Sequence, residues 1–245
     1  FAQANWYAFG RLAWNNELTP EVIADEWIKQ TFNQQKDFVE PVKEMMLASR
    51  EAAVNYMMPL GLHHLFAWGH HYGPEPWCSV PGARPDWLPS YYHKADTLGI
   101  GFDRTLDTGS KAVGQYFVPL RNDYNKLKTC PEQYLLWFHH VPWKYKMKSG
   151  RTLWDELCYT YDKGVQQVRE FQKTWDKMES FVDAQRFHEV QSRLKIQSKD
   201  AVWWKDACLL YFQTFSRQPI PYDIERPVNE LDDLKKIKLN LLHHN

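Results

Sequence analysis

Apolar and polar residues alternate with the spacing of amphipathic helices in the first quarter of the chain. The Thr-Pro-Glu sequence at 19–21 combines an N-cap residue, a proline for the first helical position and an early acid, which predicts a helix start. Asp37, with Glu40 three residues later, resembles a capping box and predicts the start of a second helix. Pro59 is expected to interrupt or end that helix.

The same spacing returns beyond residue 150. Thr152 is placed to cap a helix whose apolar face recurs as far as Trp175. A second long segment extends to Ser216, ahead of two prolines. We expect the two helices to pair as an antiparallel hairpin that turns at about 180–183.

Residues 59–150 differ from the rest of the chain in composition. They contain nine of the 11 glycines and nine of the 14 prolines, so most of this backbone must turn or run irregularly. Short helices are expected at 110–127 and 131–138. The predicted fold class is therefore mainly α: a helical domain with long antiparallel helices and a Gly/Pro-rich, aromatic irregular region that leaves room for a small β-hairpin.

One stretch of the irregular region concentrates unusual side chains. Residues 59–77, here called the aromatic segment, read PLGLHHLFAWGHHYGPEPW and hold four histidines, two tryptophans and a tyrosine. Its Gly and Pro residues exclude one continuous helix. Rings and imidazoles on a turning backbone are more typical of a ligand-facing surface than of a core.

Composition narrows the classes of partner. Thirty basic residues balance thirty acidic ones, which argues against nucleic acid and anionic membranes. No apolar run approaches the roughly 18 residues of a membrane-spanning helix. Twelve tryptophans and an aromatic content of 16% suit a protein that handles carbohydrate, because planar rings stack on the apolar faces of sugars.

The cysteines indicate the state of the thiols, and the first residues indicate whether the chain is part of a longer protein. The four cysteines lie far apart without a C-x-x-C pair, so free thiols are expected and a zinc site or disulfide scaffold is not. The chain opens on Phe1 and an apolar stretch, from which we expect a fragment of a longer protein.

Histidines occur in adjacent pairs at 63–64, 70–71 and 139–140. Neighbouring residues on a helix point about 100° apart, so such pairs rarely chelate one ion. No H-E-x-x-H motif, G-x-S-x-G elbow or phosphate-binding loop is present. We therefore predict no metal and no cofactor, and expect the imidazoles to form hydrogen bonds.

Glycosidase chemistry requires a positioned acid and base. Acidic residues of the irregular region lack a supporting motif, so none is predicted to be catalytic. We expect Arg104 to form an internal ion pair with Asp103 or Asp96 that holds a loop.

Long sequence blocks resemble one known family. They are WYAFGRLAW, the aromatic segment, YYHKADTLGIGFDRT, CPEQYLLWFHHVPW with SGRTLWDEL, and WWKDACLLYFQTFSRQPIP, in this order. Over residues 1–222 the chain is similar to the C-terminal region of glycoside hydrolase family 67, the α-glucuronidases. The resemblance implies an enzyme that removes (4-O-methyl)-glucuronic acid from the O2 of the terminal non-reducing xylose of xylo-oligosaccharides, with inversion. The family's C-terminal domain helps to close the active site and mediates dimerisation.

For this chain, the resemblance implies that residues 1–245 form a single C-terminal domain. An N-terminal α/β domain and a (β/α)₈ barrel are expected upstream, and the barrel is expected to hold the catalytic carboxylates. The expected partners are a glucuronoxylo-oligosaccharide, the barrel and a second copy of the chain. The compartment stays open between the cytoplasm and the cell envelope or exterior.

The resemblance also suggests which residues contact substrate. An aromatic side chain of this domain packs near the uronic acid in the family, and that role maps onto Trp77 first and Trp68 second. The candidates for polar contacts are His70, His71, Tyr72 and Arg104. Each has a structural alternative; Trp77, for example, follows Pro76 and would suit a turn. Two other functions also remain open: a stand-alone carbohydrate-binding module and a purely structural dimerisation domain.

Overall fold

The computed structural model describes residues 2–239, which are mainly helical, as predicted. The helices are α1 (Ala2–Trp14), α2 (Pro20–Thr31), α3 (Lys36–Met57), α4 (Pro89–His93), α5 (Val118–Asn125), α6 (Leu135–Phe138), α7 (Leu153–Asp176), α8 (Ala184–Ser216) and α9 (Leu231–Leu234). Strands β1 (Gly99–Ile100) and β2 (Val141–Pro142) pair antiparallel, with Ile100 opposite Val141. Because these strands lie far apart in the chain, the small sheet is not a hairpin.

The described residues divide into two compact units. The first combines residues 2–53 with 164–200, and the second combines residues 54–163 with 201–239. Helices α3, α7 and α8 each have some residues in the first unit and the rest in the second. None of the described helices is both long and apolar enough to cross a membrane.

In the first unit, α7 and α8 pack against each other at the turn that joins them. The indole of Trp175 is fully buried, stacks on Phe187 with ring centroids 6.0 Å apart, and donates its N–H to the Phe187 carbonyl at 3.0 Å. A short 3₁₀ turn at Glu179–Phe181 connects the two helices. This end of the predicted antiparallel hairpin is therefore confirmed.

The second unit contains the opposite end of the hairpin. Thr152 caps α7, because its hydroxyl accepts the Asp155 amide at 3.1 Å and donates to the Asp155 carboxylate at 2.7 Å. Fully buried Trp154 donates its indole N–H to the carbonyl of Pro219, just after α8, at 2.8 Å. The N-cap predicted from Thr152 is confirmed.

The starts of α2 and α3 differ from each other in how well they were predicted. The Thr19 hydroxyl accepts the Val22 amide at 3.4 Å, so the predicted cap of α2 is confirmed. The capping box was wrong, since α3 begins one residue before Asp37, which lies inside its first turn. The side chain of Asn33 makes the preceding turn instead, by accepting the Gln35 amide at 2.7 Å.

The irregular region contains shorter elements than its sequence predicts. The expected helix at 110–127 is a 3₁₀ turn (Ala112–Gln115) followed by α5, and the one at 131–138 is a 3₁₀ turn (Glu132–Tyr134) followed by α6. All four cysteines are free and buried, as predicted. Helix α4 was not predicted, because its five residues are too few to display a helical period.

Candidate functional site

The aromatic segment begins where α3 ends and continues as a tightly turned loop. Leu62 and Leu65 are buried and anchor the loop to the core of the second unit. The backbone of the loop takes unusual conformations, since His64, between these two leucines, and His71, beyond them, have φ angles of 62° and 58°. Left-handed backbone at residues other than glycine stores strain and is frequent at functional sites. The loop therefore carries its imidazoles and rings on a strained frame.

A cavity of about 350 Å³ lies on one side of this loop, here called the first cavity. Trp68 and Trp87 form its open walls, with ring centroids 6.3 Å apart and exposed fractions of 38% and 51%. His64 and His71 also line it. Burial lowers the pKa of His64 below its ordinary value, which keeps that imidazole neutral near pH 7 and able both to donate and to accept a hydrogen bond.

A second cavity, of about 280 Å³, is also lined by Trp68 and is more polar. It is lined by Trp77, His70 and Tyr72, together with Trp203 of α8. Trp77 is half-buried and packs edge-on against another ring of α8, with centroids 6.0 Å apart. Of the residues predicted to contact substrate, Trp68 and His71 thus border the first cavity, whereas Trp68, His70, Tyr72 and Trp77 border the second.

The turn between these rings requires a glycine. Gly73 has a φ of 79°, and a Cβ atom at this position would lie 2.2 Å from the ring of Trp203. A side chain would therefore displace the Trp203 ring or the loop, and it would be strained at this φ. The close approach fixes the spacing between Tyr72 and the rings of the second cavity.

Arg104 lines neither cavity. It is 6% exposed, and its guanidinium lies 3.8 Å from the ring centroid of Trp137 and 4.2 Å from that of Phe102. It also donates a hydrogen bond to the Trp137 carbonyl. Burial lowers the pKa of Arg104 to about 10. This cation is held by aromatic faces, a contact that is strongest when water is excluded.

The ion pair predicted for Arg104 is wrong within the described part of the chain. Asp103 instead accepts hydrogen bonds from the hydroxyls of Thr105 and Thr108 at 2.7 and 2.6 Å. Asp96 accepts the backbone amides of the next turn, including that of Gly99 at 2.9 Å. These local donors lower the pKa of both carboxyls against the opposing effect of burial, and they occupy the oxygens that Arg104 was expected to bind.

The adjacent histidines at 139 and 140 bind backbone carbonyls. Nε2 of His139 lies 2.8 Å from the carbonyl of Tyr124, and Nδ1 of His140 lies 2.9 Å from that of Gly101. Across residues 2–239, no group of three His, Cys, Asp or Glu side chains is arranged to hold a metal ion. His139 and His140 therefore act as hydrogen-bonding groups in the fold.

Sequence reasoning missed Trp87 and His64 as parts of a site. Trp87 follows Pro85 in a 3₁₀ turn and precedes Pro89, which begins α4. A tryptophan between prolines repeats the composition of the aromatic segment, and that signal was available in the sequence. The pairing of Trp87 with Trp68 was not, because it depends on tertiary contact.

Comparison with known proteins identifies the family. A family model described as "Glycosyl hydrolase family 67 C-terminus" matches residues 1–225. The chain is 33% identical over 216 residues to a "Probable alpha-glucuronidase A" of Aspergillus fumigatus, which covers 88% of the chain and 25% of that protein. It is 31% identical over 219 residues to the "Alpha-glucuronidase A" of Aspergillus tubingensis, covering 89% of the chain and 25% of that protein. The chain thus spans a quarter of the length of these relatives. It belongs to glycosyl hydrolase family 67 and corresponds to the C-terminal region of that family.

Proposed function

We propose that this chain is the C-terminal part of an α-glucuronidase that removes (4-O-methyl)-glucuronic acid from xylo-oligosaccharides during xylan breakdown. The names of the matching relatives and the family membership support this activity. In the proposal, residues 1–245 form one domain that follows an α/β domain and a (β/α)₈ barrel, lines the active site and helps the enzyme to dimerise.

The chemistry of bond cleavage is assigned to the barrel. An inverting glycosidase needs a carboxylic acid and a carboxylate about 6.5–9.5 Å apart, with a water between them. Among the described residues, the lining of the first cavity includes neither Asp nor Glu. The contribution of this chain is therefore to bind and orient the sugar and to exclude water.

One observation carries the proposal: Trp68 and Trp87 present neighbouring, exposed rings to an open cavity that imidazoles also line. Exposed indoles offer apolar faces on which a sugar ring can stack, and imidazoles offer hydrogen bonds to hydroxyls. We assign the sugar contact to this cavity, with Trp68 as its central residue. Trp77, His70 and Tyr72 support Trp68 from the second cavity.

The test is mutation of these rings in the complete protein. Trp68→Ala and Trp87→Ala should each lower kcat/KM on aldouronic oligosaccharides by about tenfold, the value of one lost stacking contact. Trp77→Ala should have a smaller effect, because Trp77 is half-buried against α8. Steady-state kinetics with purified variants provides the measurement.

Tyr222→Ala is a matched control, since Tyr222 belongs to the same unit and is 89% exposed without lining either cavity. It should leave kcat/KM unchanged. If Trp68→Ala and Trp87→Ala behave like this control, the chain does not line the active site. The purely structural dimerisation hypothesis would then be the better one.

A further inference from the structure

The chain continues past the part that the family model matches. That match ends at residue 225, whereas the structure describes residues to 239. Residues 226–239, here called the carboxyl-terminal segment, are anchored at Asp206 of α8, which is fully buried. The Asp206 carboxylate accepts the amide of Val228 at 2.9 Å and both the amide and side chain of Asn229 at 3.2 and 2.8 Å.

From this anchor the segment reaches the aromatic segment. Leu234 of α9 is buried, and it lines the second cavity together with Ile237, Lys238 and Leu239. The Lys238 ammonium lies 3.3 Å from Oε1 of Glu75. The carboxyl-terminal segment therefore forms part of the wall behind Trp68.

Glu75 connects this wall to Trp68. Its second carboxylate oxygen, Oε2, accepts the backbone amide of Trp68 at 3.0 Å, and the Glu75 side chain is only 17% exposed. Its own amide donates to the Leu65 carbonyl at 2.8 Å. The same carboxylate thus bonds the loop that carries Trp68 with one oxygen and the carboxyl-terminal segment with the other.

We propose that Glu75 is a positioning residue for Trp68 and that Lys238 holds the Glu75 carboxylate in the orientation this task requires. The loop tip contains Gly69 and His71, both with positive φ. It is closed by a few backbone hydrogen bonds, from Ala67 to Gly73 at 2.9 Å and from His71 to Ala67 at 3.1 Å, and not by a helix or a strand ladder. The charge-assisted hydrogen bond from the Trp68 amide to the Glu75 carboxylate restricts the motion of the tip. The consequence for sugar binding rests on the proposed function, but the restriction of the loop does not.

Hydrogen–deuterium exchange of residues 66–73 in the complete protein tests the restriction directly. Glu75→Ala should accelerate exchange there by about tenfold, because the Trp68 amide loses its acceptor. Glu75→Gln, which keeps an acceptor oxygen but loses the charge, and Lys238→Met should each accelerate it by about threefold. Lys238→Arg should restore the wild-type rate.

Lys236→Met is the matched control, since Lys236 lies in the same segment and pairs at 2.8 Å with Asp233 rather than with Glu75. It should leave exchange at 66–73 unchanged. Exchange that is the same in wild type, Glu75→Gln and Lys238→Met would overturn the proposal. A loss of protection equal in all parts of the second unit would also overturn it, as that would mark general destabilisation.

Kinetics separates this proposal from the proposed function. If Trp68 contacts sugar, the Glu75→Gln and Lys238→Met variants should raise KM about threefold with kcat unchanged, because an interaction present in ground and transition states is weakened. Faster exchange at 66–73 without any change in KM would uphold the role of Glu75 in positioning the loop. The same result would overturn the assignment of Trp68 to the sugar.

Discussion

At the scale of single residues, Arg104 illustrates how far sequence neighbours can mislead. Asp103 precedes it, yet Asp103 has hydroxyl donors within its own loop. Asp103 therefore turns to the threonines of its own loop, and Arg104 turns to Trp137, which the chain brings from 33 residues away. The sequence predicted that Arg104 holds a loop through an ion pair with Asp103 or Asp96, and the pairing was wrong. Its partners depend on a tertiary contact that no local pattern encodes.

His93 provides a prediction of pH dependence. It is 2% exposed; its Nε2 donates to the Pro76 carbonyl at 3.0 Å, and its Nδ1 accepts the Ala95 amide at 2.9 Å. Burial lowers the pKa of His93 from 6.5 to about 4. The unfolded chain therefore binds the proton more readily, so this stability is complete above pH 6.5 and is lost as the pH falls towards 4.

The matched variant is His93→Gln, which keeps a hydrogen-bonding side chain but does not titrate. Wild type should lose about 3 kcal/mol more unfolding free energy than His93→Gln between pH 7 and pH 4. Urea denaturation at a series of pH values measures the difference. Equal pH slopes in the two proteins would show that His93 is protonated without cost in the folded state.

At the scale of helices, the caps that the sequence predicted lead to a second prediction. Thr152→Ala removes the acceptor of the Asp155 amide at the start of α7 and should lower the unfolding free energy by about 1 kcal/mol. Thr152→Ser retains a hydroxyl and should lose much less. Urea unfolding followed by circular dichroism checks both variants, and equal losses would assign the effect of Thr152 to its methyl group.

The helices differ in how completely the sequence predicted them. Helices α7 and α8 extend over 24 and 33 residues, and α7 in particular repeats an apolar face over several turns, so its pattern is unambiguous. Strands β1 and β2 have two residues each and no period to detect. In the aromatic segment, Gly and Pro predicted irregular backbone. They did not predict that Trp68 lines two cavities, because Trp87 and Trp203, which line one cavity each with it, come from other parts of the chain.

At the scale of the whole molecule, the described surface contains large apolar side chains without cover. Helix α1 has no buried residue, and Trp6, Phe9 and Trp14 on it are 79%, 69% and 88% exposed. Apolar surface of this kind is typical of an interaction face. It agrees with the proposal that this chain works in contact with a barrel domain and a second copy.

If this chain works only in contact with a barrel domain, a last prediction follows for the chain on its own. With Trp68 and Trp87 38% and 51% exposed, the first cavity is open to solvent. The contacts available there must exceed a loss of translational and rotational freedom of about 4 kcal/mol or more. We therefore expect the isolated chain, shown by circular dichroism to be helical, to neither hydrolyse aldouronic oligosaccharides nor release heat with them in isothermal titration. Millimolar or tighter binding that Trp68→Ala abolishes would instead identify the chain as a carbohydrate-binding module in its own right.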